Sequence, residues 1–295
     1  MEIQSIPTVG ADDWESFIIE GETYLALANY WNGSNHNIDS MIFRWNGLSF
    51  IQIQSVPSNG AGDWESFVID GETYLALANR TNGSTVHVDS KIFIWTGASF
   101  AEIQSIRTIG GWDWESFTID GKAYLAVANW KNNNDEYNID SVIYEWTGFF
   151  FSEIQKIPTK GAAAWESFVI NGKTYLAVAN SPKNVNNYSV IYQWNGNGFV
   201  EIQSIPTSAP RDWESFIIDG QTYLAVANCS NGDSNKINSE IFRKESPQAD
   251  AGKEYMAFET VLLDGSGSRD FAEGSLVDWQ WSLTHSQNPD FNRTA

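Results

Sequence analysis

The stretch DWESFIIEGETYLALAN, residues 13–29, decides how this chain is read. Its opening pentapeptide returns as DWESF at Asp63, DWESF at Asp113, AWESF at Ala164 and DWESF at Asp212, so its Trp falls at 14, 64, 114, 165 and 213. A near-constant period of about 50 residues marks a repeat architecture. Each copy continues, in the wording of the first, as WESFIIEG, ETYLALAN, a polar stretch, MIFRWNG and SFIQIQSVPS. These are four short runs rich in Ile, Val, Phe, Tyr and Trp, separated by turn residues and without helical period.

The turns sort the strands. First and second runs meet at EG, DG, DG, NG and DG, dipeptides that supply the positive φ of a tight hairpin. Third and fourth runs meet at WNG or WTG, again short. The second-to-third connections are long and variable, as in YWNGSNHNID, RTNGSTVHVD and WKNNNDEYNID. Four antiparallel strands at this period describe a β-propeller blade. The second strand, YLALA or YLAVA, is apolar on both faces, as a blade packed between two neighbours requires.

The chain opens on EIQSIPT (2–8), the wording of a fourth strand, as at Glu102 and Glu201, whereas the fifth copy stops after SEIFRK with Lys244 in place of Trp45, Trp95, Trp146 and Trp194. The expectation is an all-β, five-bladed propeller over 1–244 in which the N-terminal strand closes the last blade beside Ile241, leaving no free edge.

The pattern W-E-S-F-x-I-x-G-x-x-Y-L-A-V-A-N … I-Y-x-W-x-G-x-F-x-x-I-Q-x-I-P-T resembles the EAR repeat, also called EPTP, of the leucine-rich glioma-inactivated proteins and related extracellular adhesion proteins. The resemblance spans residues 2–243, and it implies an extracellular or cell-surface recognition module. Family members usually close with seven blades, and this chain carries five copies. Residues 245–295 change composition, and LDGSGSRD with WQWSL resembles the start of a PKD-type domain. Fewer residues than the ~80–100 of such a sandwich are present, so a partial immunoglobulin-like β-sandwich is expected there. No signal peptide is visible, and the chain reads as a fragment of a longer protein.

Charge narrows the partners. Seventeen Lys and Arg against 37 Asp and Glu give a net charge of −20, which disfavours nucleic acid and anionic membranes and attracts cations and basic surfaces. No apolar run reaches ~18 residues, so no membrane span is expected. A single cysteine, Cys229, excludes an internal disulfide framework and a Cys-based zinc site. NGS at Asn32 and Asn82, NYS at Asn187, NCS at Asn228 and NRT at Asn292 match glycosylation acceptors.

Two candidate sites emerge. The variable loops carry Tyr30, Trp31, Trp130, Tyr137 and Tyr188 among Asn and Gly, a composition suited to a protein or glycan ligand. In the pentapeptide, strand alternation puts Asp13, Glu15 and Phe17 on one side and Trp14 and Ser16 on the other. Carboxylates would crowd the channel rim, repelling one another by about 2 kcal/mol at ~8 Å and a dielectric near 20. Hydrogen bonds from hydroxyl or backbone N–H groups between blades, raised pKa values or a bound cation would each offset this. The family resemblance implies calcium, carried over to Asp13 with Glu15, Asp63 with Glu65, Asp113 with Glu115 and Asp212 with Glu214. Ala164 breaks the pattern beside Glu166.

Glycoside hydrolysis is disfavoured, because acid and base must differ in environment and these carboxylates are near-copies. The expected function is therefore non-catalytic recognition or adhesion, possible calcium stabilisation included, with a lectin-like propeller as the alternative.

Overall fold

The computed structural model describes residues 2–182 and 186–243. Two compact units divide the chain, Met1–Phe242 and Arg243–Ala295. Five antiparallel sheets follow one another. The first is β1 (Ala11–Ile19), β2 (Glu22–Asn29), β3 (Asn37–Trp45) and β4 (Phe50–Asn59). The second is β5 (Ala61–Ile69), β6 (Glu72–Asn79), β7 (His87–Trp95) and β8 (Phe100–Ile109). The third is β9 (Gly111–Ile119), β10 (Lys122–Asn129), β11 (Asn138–Trp146) and β12 (Phe151–Lys160). The fourth is β13 (Ala162–Ile170), β14 (Lys173–Asn180), β15 (Asn186–Trp194) and β16 (Phe199–Ser208). The fifth has three strands, β17 (Pro210–Ile218), β18 (Gln221–Asn228) and β19 (Glu240–Arg243).

Within a blade the strands follow chain order, and the inner strands β1, β5, β9, β13 and β17 pack each on the next. The hairpins between first and second strands turn through Glu20, Asp70, Asp120, Asn171 and Asp219, all at φ near +50° (51°, 53°, 51°, 52° and 52°). A following Gly at positive φ completes each turn, as a tight hairpin demands.

Alternation in the second strand explains the stacking. In YLALAN the Leu residues and the Ala residues point to opposite faces, so every blade has a large face and a small one. Ala26 and Ala28 of the first blade meet Trp64, Leu75 and Leu77 of the second. The same fit recurs for Ala76 and Ala78 against Trp114, Leu125 and Val127, and for Ala126 and Ala128 against Trp165, Leu176 and Val178. Ala177 and Ala179 against Trp213, Leu224 and Val226 complete the series. Large against small fills the space between sheets without voids.

Outer strands are laced together by amides. Gln54 donates from Nε2 to the Phe100 carbonyl and accepts the Phe100 N–H, both at 2.8 Å. Gln104 does the same to Phe151 and Gln155 to Phe199. A buried hydroxyl pair ties third to fourth strand: Ser40–Ser58, Ser90–Thr108, Ser141–Thr159 and Ser189–Thr207, each at 2.9–3.0 Å.

Among the described residues the expected closure is not formed: 2–8 carry no strand, the fifth sheet has three members, and the packing that joins successive inner strands is not repeated between β17 and β1. The leading segment nevertheless makes bonds that the paired fourth strands make. Gln4 brackets Phe50 at 2.8 Å in both directions, and Val9 N–H donates to Asn29 Oδ1 at 3.0 Å. It thus holds the between-blade contacts of a fourth strand toward the first blade, without an in-blade partner. Trp14 is accordingly 42% exposed, whereas Trp64, Trp114 and Trp165 are each 2% exposed. The region expected to resemble a PKD-type sandwich, 245–295, lies outside the described residues.

Truncating a buried Trp removes the plug between two blades, whereas truncating Trp14 removes a half-covered ring. Trp114→Ala is expected to lower stability by about 3–5 kcal/mol in urea denaturation and Trp14→Ala by less than half of that; equal losses would contradict the large-on-small packing.

Candidate functional site: an acidic channel beneath an aromatic loop face

The innermost strand of each sheet is an edge, so every second N–H along it lacks a ladder partner. The D-x-E spacing answers this, because two carboxylates two residues apart match two alternate N–H groups on the next inner strand. Asp13 accepts the Trp64 N–H at 3.2 Å, Asp63 the Trp114 N–H at 2.9 Å and Asp113 the Trp165 N–H at 2.8 Å. One step along, Glu15 accepts the N–H and hydroxyl of Ser66. Glu65 takes the Ser116 N–H (2.9 Å), Glu115 that of Ser167 and Glu166 that of Ser215 (both 2.8 Å). Where Ala164 replaces Asp, the Trp213 N–H turns to its own neighbour Asp212 at 2.9 Å. Glu214, on the uncovered side of the fifth blade, is exposed.

Asp13, Glu15, Asp63, Glu65, Asp113, Glu115 and Glu166 lie half-buried along the channel wall. Burial, reinforced by neighbouring carboxylates, raises Asp13 and Asp212 and holds Asp63, Asp113 and Glu115 well above the usual carboxylate range. Glu65 and Glu166 are pushed up to about 7, chiefly by burial, against the lowering effect of their Ser partners. A calcium ion calls for roughly 6–8 oxygens. Among the described residues no three acidic, His or Cys side chains converge so as to hold a metal ion, and seven rim carboxylates already accept a neighbouring blade's N–H.

At one end of the channel the long loops gather. The second-to-third loop and the fourth-to-first connection bond in every blade, as in Tyr30 N–H to Gly10 O (2.9 Å), Arg80 to Gly60 (3.0 Å), Trp130 to Gly110 (3.2 Å) and Ser181 to Gly161 (2.7 Å). An Asn closing each second strand locks this corner. Asn79 accepts the Asn59 N–H at Oδ1 (2.8 Å) and donates from Nδ2 to the Asp89 carbonyl (2.7 Å), and Asn29, Asn129, Asn180 and Asn228 do likewise. The amide of Asn228, an apparent glycosylation acceptor, is thus taken up by the fold.

Four of the five aromatic candidates meet on this face. Tyr30 sits edge-on to His36 at 4.6 Å and Trp31 stacks on the same ring at 6.1 Å, with Trp31 half exposed. Trp130 contacts Tyr137 at 5.7 Å and donates from Nε1 to the Ser181 carbonyl at 3.2 Å. Tyr188 stands apart: it lies on β15, exposed, beside a cleft of about 410 Å³ shared with Pro206, Asn231 and Ile237.

Two residues that sequence reasoning passed over join the clusters. Arg80 lies over Trp112 at 3.7 Å and over Tyr30 at 5.1 Å, and pairs with Asp12. Trp112 in turn meets Trp130 at 4.6 Å and receives Arg211 at 5.8 Å. A Cβ at Gly62 would run into Arg80 and come within 2.8 Å of the Trp112 carbonyl, so only Gly leaves room for the guanidinium. The available signal was departure from the repeat: Trp112 and Gly62 occupy the position before the Asp that Asp12, Ala163 and Arg211 hold elsewhere. Arg80 is buried, which pulls its pKa down, while Asp12 and Asp63 oppose the shift.

The raised carboxylates set a pH dependence. A folded-state pKa above the unfolded one contributes stability that is present below about 4.5 and lost as pH rises through about 7 for Glu65 and Glu166. The melting midpoint is expected to fall between pH 5 and 8, and Glu65→Gln with Glu166→Gln, which retain an acceptor oxygen, to flatten the profile. A midpoint that rises over that window, or is unaltered by the double variant, would contradict the assignment.

With this geometry in place, comparison with known proteins is direct. The EPTP domain model matches five times, over residues 2–46, 49–96, 99–147, 151–195 and 198–243. The thrombospondin-type laminin G domain and EAR repeat-containing protein of Homo sapiens is 58% identical over 43 residues, 15% of this chain and 6% of that protein. Its Mus musculus counterpart is 56% identical over 43 residues, with the same coverage. The chain thus spans a small fraction of these relatives. A putative 6-phosphogluconolactonase from Bacteroides fragilis superposes with a TM-score of 0.53 at 16% identity, over 77% of this chain and 65% of that one, a likeness of fold alone. The GH43_1 enzyme from Xanthomonas citri complexed with xylotriose has a TM-score of 0.47 at 10% identity, over 83% and 90% of the two chains. Five matched repeats covering most of its length make this chain a member of the EPTP domain family.

Proposed function

We propose that this EPTP propeller is a non-catalytic recognition module that binds a protein partner through its variable-loop face, outside the cell or at its surface. The observation that carries the reading is the continuous run Tyr30–Arg80–Trp112–Trp130–Tyr137, drawn from the first three blades. Arg, Trp and Tyr are the side chains that dominate interface hot spots, and here they are held by stacking and hydrogen bonds before any partner arrives. The half-exposed Trp31 and exposed Tyr188 flank that run as further contact points.

Chemistry in the channel is a poorer account. Its carboxylates are structural acceptors for N–H groups of the next blade, and they repeat the same bond rather than dividing into an acid and a base. The extracellular setting is supported by the human and mouse relatives, whose names carry a thrombospondin-type laminin G domain beside the EAR repeats.

Screening the labelled protein against a panel of cell-surface ectodomains tests the reading. Trp112→Ala is expected to weaken a captured interaction by at least about 2 kcal/mol; sugar-selective signal on a glycan array without any ectodomain binding would replace it with the lectin alternative. Calcium stabilisation is the remaining part of the proposal, and the raised carboxylates are the groups a cation would discharge. Thermal melting at pH 7.5 is expected to show a midpoint that falls on chelation, and an unchanged midpoint removes the metal.

A further inference from the structure

At the opposite end of the channel, the tight-turn end, the structure exposes an apolar run that the fold does not need. Ile18, Val68, Val169 and Ile217 are 67%, 62%, 56% and 73% exposed. They occupy one position on four of the five inner strands, two residues before the hairpin turns, and Thr118 holds it on the other. Because successive inner strands pack side by side, this position recurs from blade to blade at the tight-turn end, with Thr118 interrupting the apolar series. Leu48 and Phe149, in the third-to-fourth turns, are each 85% exposed at the outer edge of the same face. Large exposed apolar patches with a polar border mark docking surfaces.

The border is mainly acidic. Glu20, Glu22, Asp70, Glu72, Asp120 and Asp219 are all exposed at the hairpins that frame this series. Arg44, Lys122 and Lys173 stand against them, and the first two are already committed to Glu22 (3.5 Å) and Glu145 (2.7 Å). Turn chemistry accounts for Asp at three of these places, since Asp tolerates positive φ. It gives no reason for Glu20 at φ 51°, nor for Glu22 and Glu72 at the starts of β2 and β6. Between the first two blades the same face opens into a cleft of about 610 Å³. Glu20, Glu22 and Arg44 line it with the rings of Tyr24 and Trp95, and Arg44 pairs with Glu22 there. With Glu22 taken by Arg44, the Glu20 carboxylate and the two rings are the part that suits the stem and head of a Lys or Arg side chain.

We propose that the tight-turn face is a second docking surface, whose occupant is a loop of another protein with an aliphatic or aromatic tip flanked by basic residues. The tip seats on the Ile18–Val68–Val169–Ile217 series, and the basic flanks meet the carboxylate border and the cleft beside Trp95. Charge complementarity chooses this partner over an acidic one, which the border and the net charge of −20 both repel. The surface is independent of the loop face at the other end of the channel, so either can fail without the other.

Disulfide-cyclised peptides with Leu or Phe at the tip, flanked by Lys or, as the control, by Glu, titrated by fluorescence anisotropy against the full chain provide the test. The Lys-flanked peptides are expected to bind, and the Glu-flanked ones at least about tenfold more weakly. Val68→Ser with Ile217→Ser, exposed positions whose melting midpoint is measured alongside, is expected to weaken the Lys-flanked peptides about tenfold. Trp31→Ala on the loop face leaves that binding unchanged. The proposal is overturned if the Lys-flanked peptides do not bind, if Glu-flanked peptides bind as well, if the folded double variant binds as well as the parent, or if Trp31→Ala abolishes the signal.

Discussion

The unpaired edge of each innermost strand is the constraint on which this propeller depends. An edge leaves N–H groups pointing into a narrow channel, where neither ladder nor bulk water serves them fully. The chain answers with carboxylates from the preceding blade, Asp13 to Trp64, Asp63 to Trp114 and Asp113 to Trp165, each reinforced one step on by a Glu bonded to a Ser. One motif therefore does two things. It satisfies the edge, and it stitches blade to blade at the place where the sheets come closest.

That solution has an electrostatic consequence. Placing acceptors of one charge along a shared wall buries them near each other, and their protonated forms gain favour. From Asp13 to Glu166 these groups repeat one kind of bond, a carboxylate accepting an N–H of the next blade. Above the channel, basic and aromatic side chains collect at the mouth, where Arg80 spans Tyr30 and Trp112 and Arg211 approaches from the fifth blade. The two ends of the channel differ accordingly. One bears long loops with guanidinium–aromatic stacks, and the other bears short hairpins with an aliphatic series inside a mainly acidic border.

Much of this was legible in the residues. The hairpin dipeptides, the strand-like runs and the period near 50 residues identified the blades, and every one of the four-stranded sheets follows the expected order. The alternation of DWESF placed Asp and Glu on one side and Trp on the other, as the bonds to the next blade show. Tyr30, Trp31, Trp130 and Tyr137 lie in the second-to-third loops. Tyr188 misled because the fourth blade's loop is followed by a strand that begins earlier than the polar wording around it implied. Arg80 and Trp112 escaped notice because a single Arg or Trp in a variable segment has no periodic signal. Their meaning comes from meeting each other across a blade boundary.

What the sequence by itself determined is local and repetitive: strand, turn, large face and small face, because each depends on side-chain alternation over a few neighbouring residues. Ring closure was decided by tertiary structure alone. EIQSIPT at residues 2–8 is worded as a fourth strand, and wording cannot say which sheet will receive it. Its side-chain amide bonded to Phe50 of the first blade, while β19, paired with β18, has no fourth strand beyond it among the described residues, because a fourth strand faces two neighbours at once and only the three-dimensional step from blade to blade determines whether both are in reach. The same holds for contacts such as Arg80 with Tyr30 and with Trp112, which join different blades and exist only once the blades are stacked.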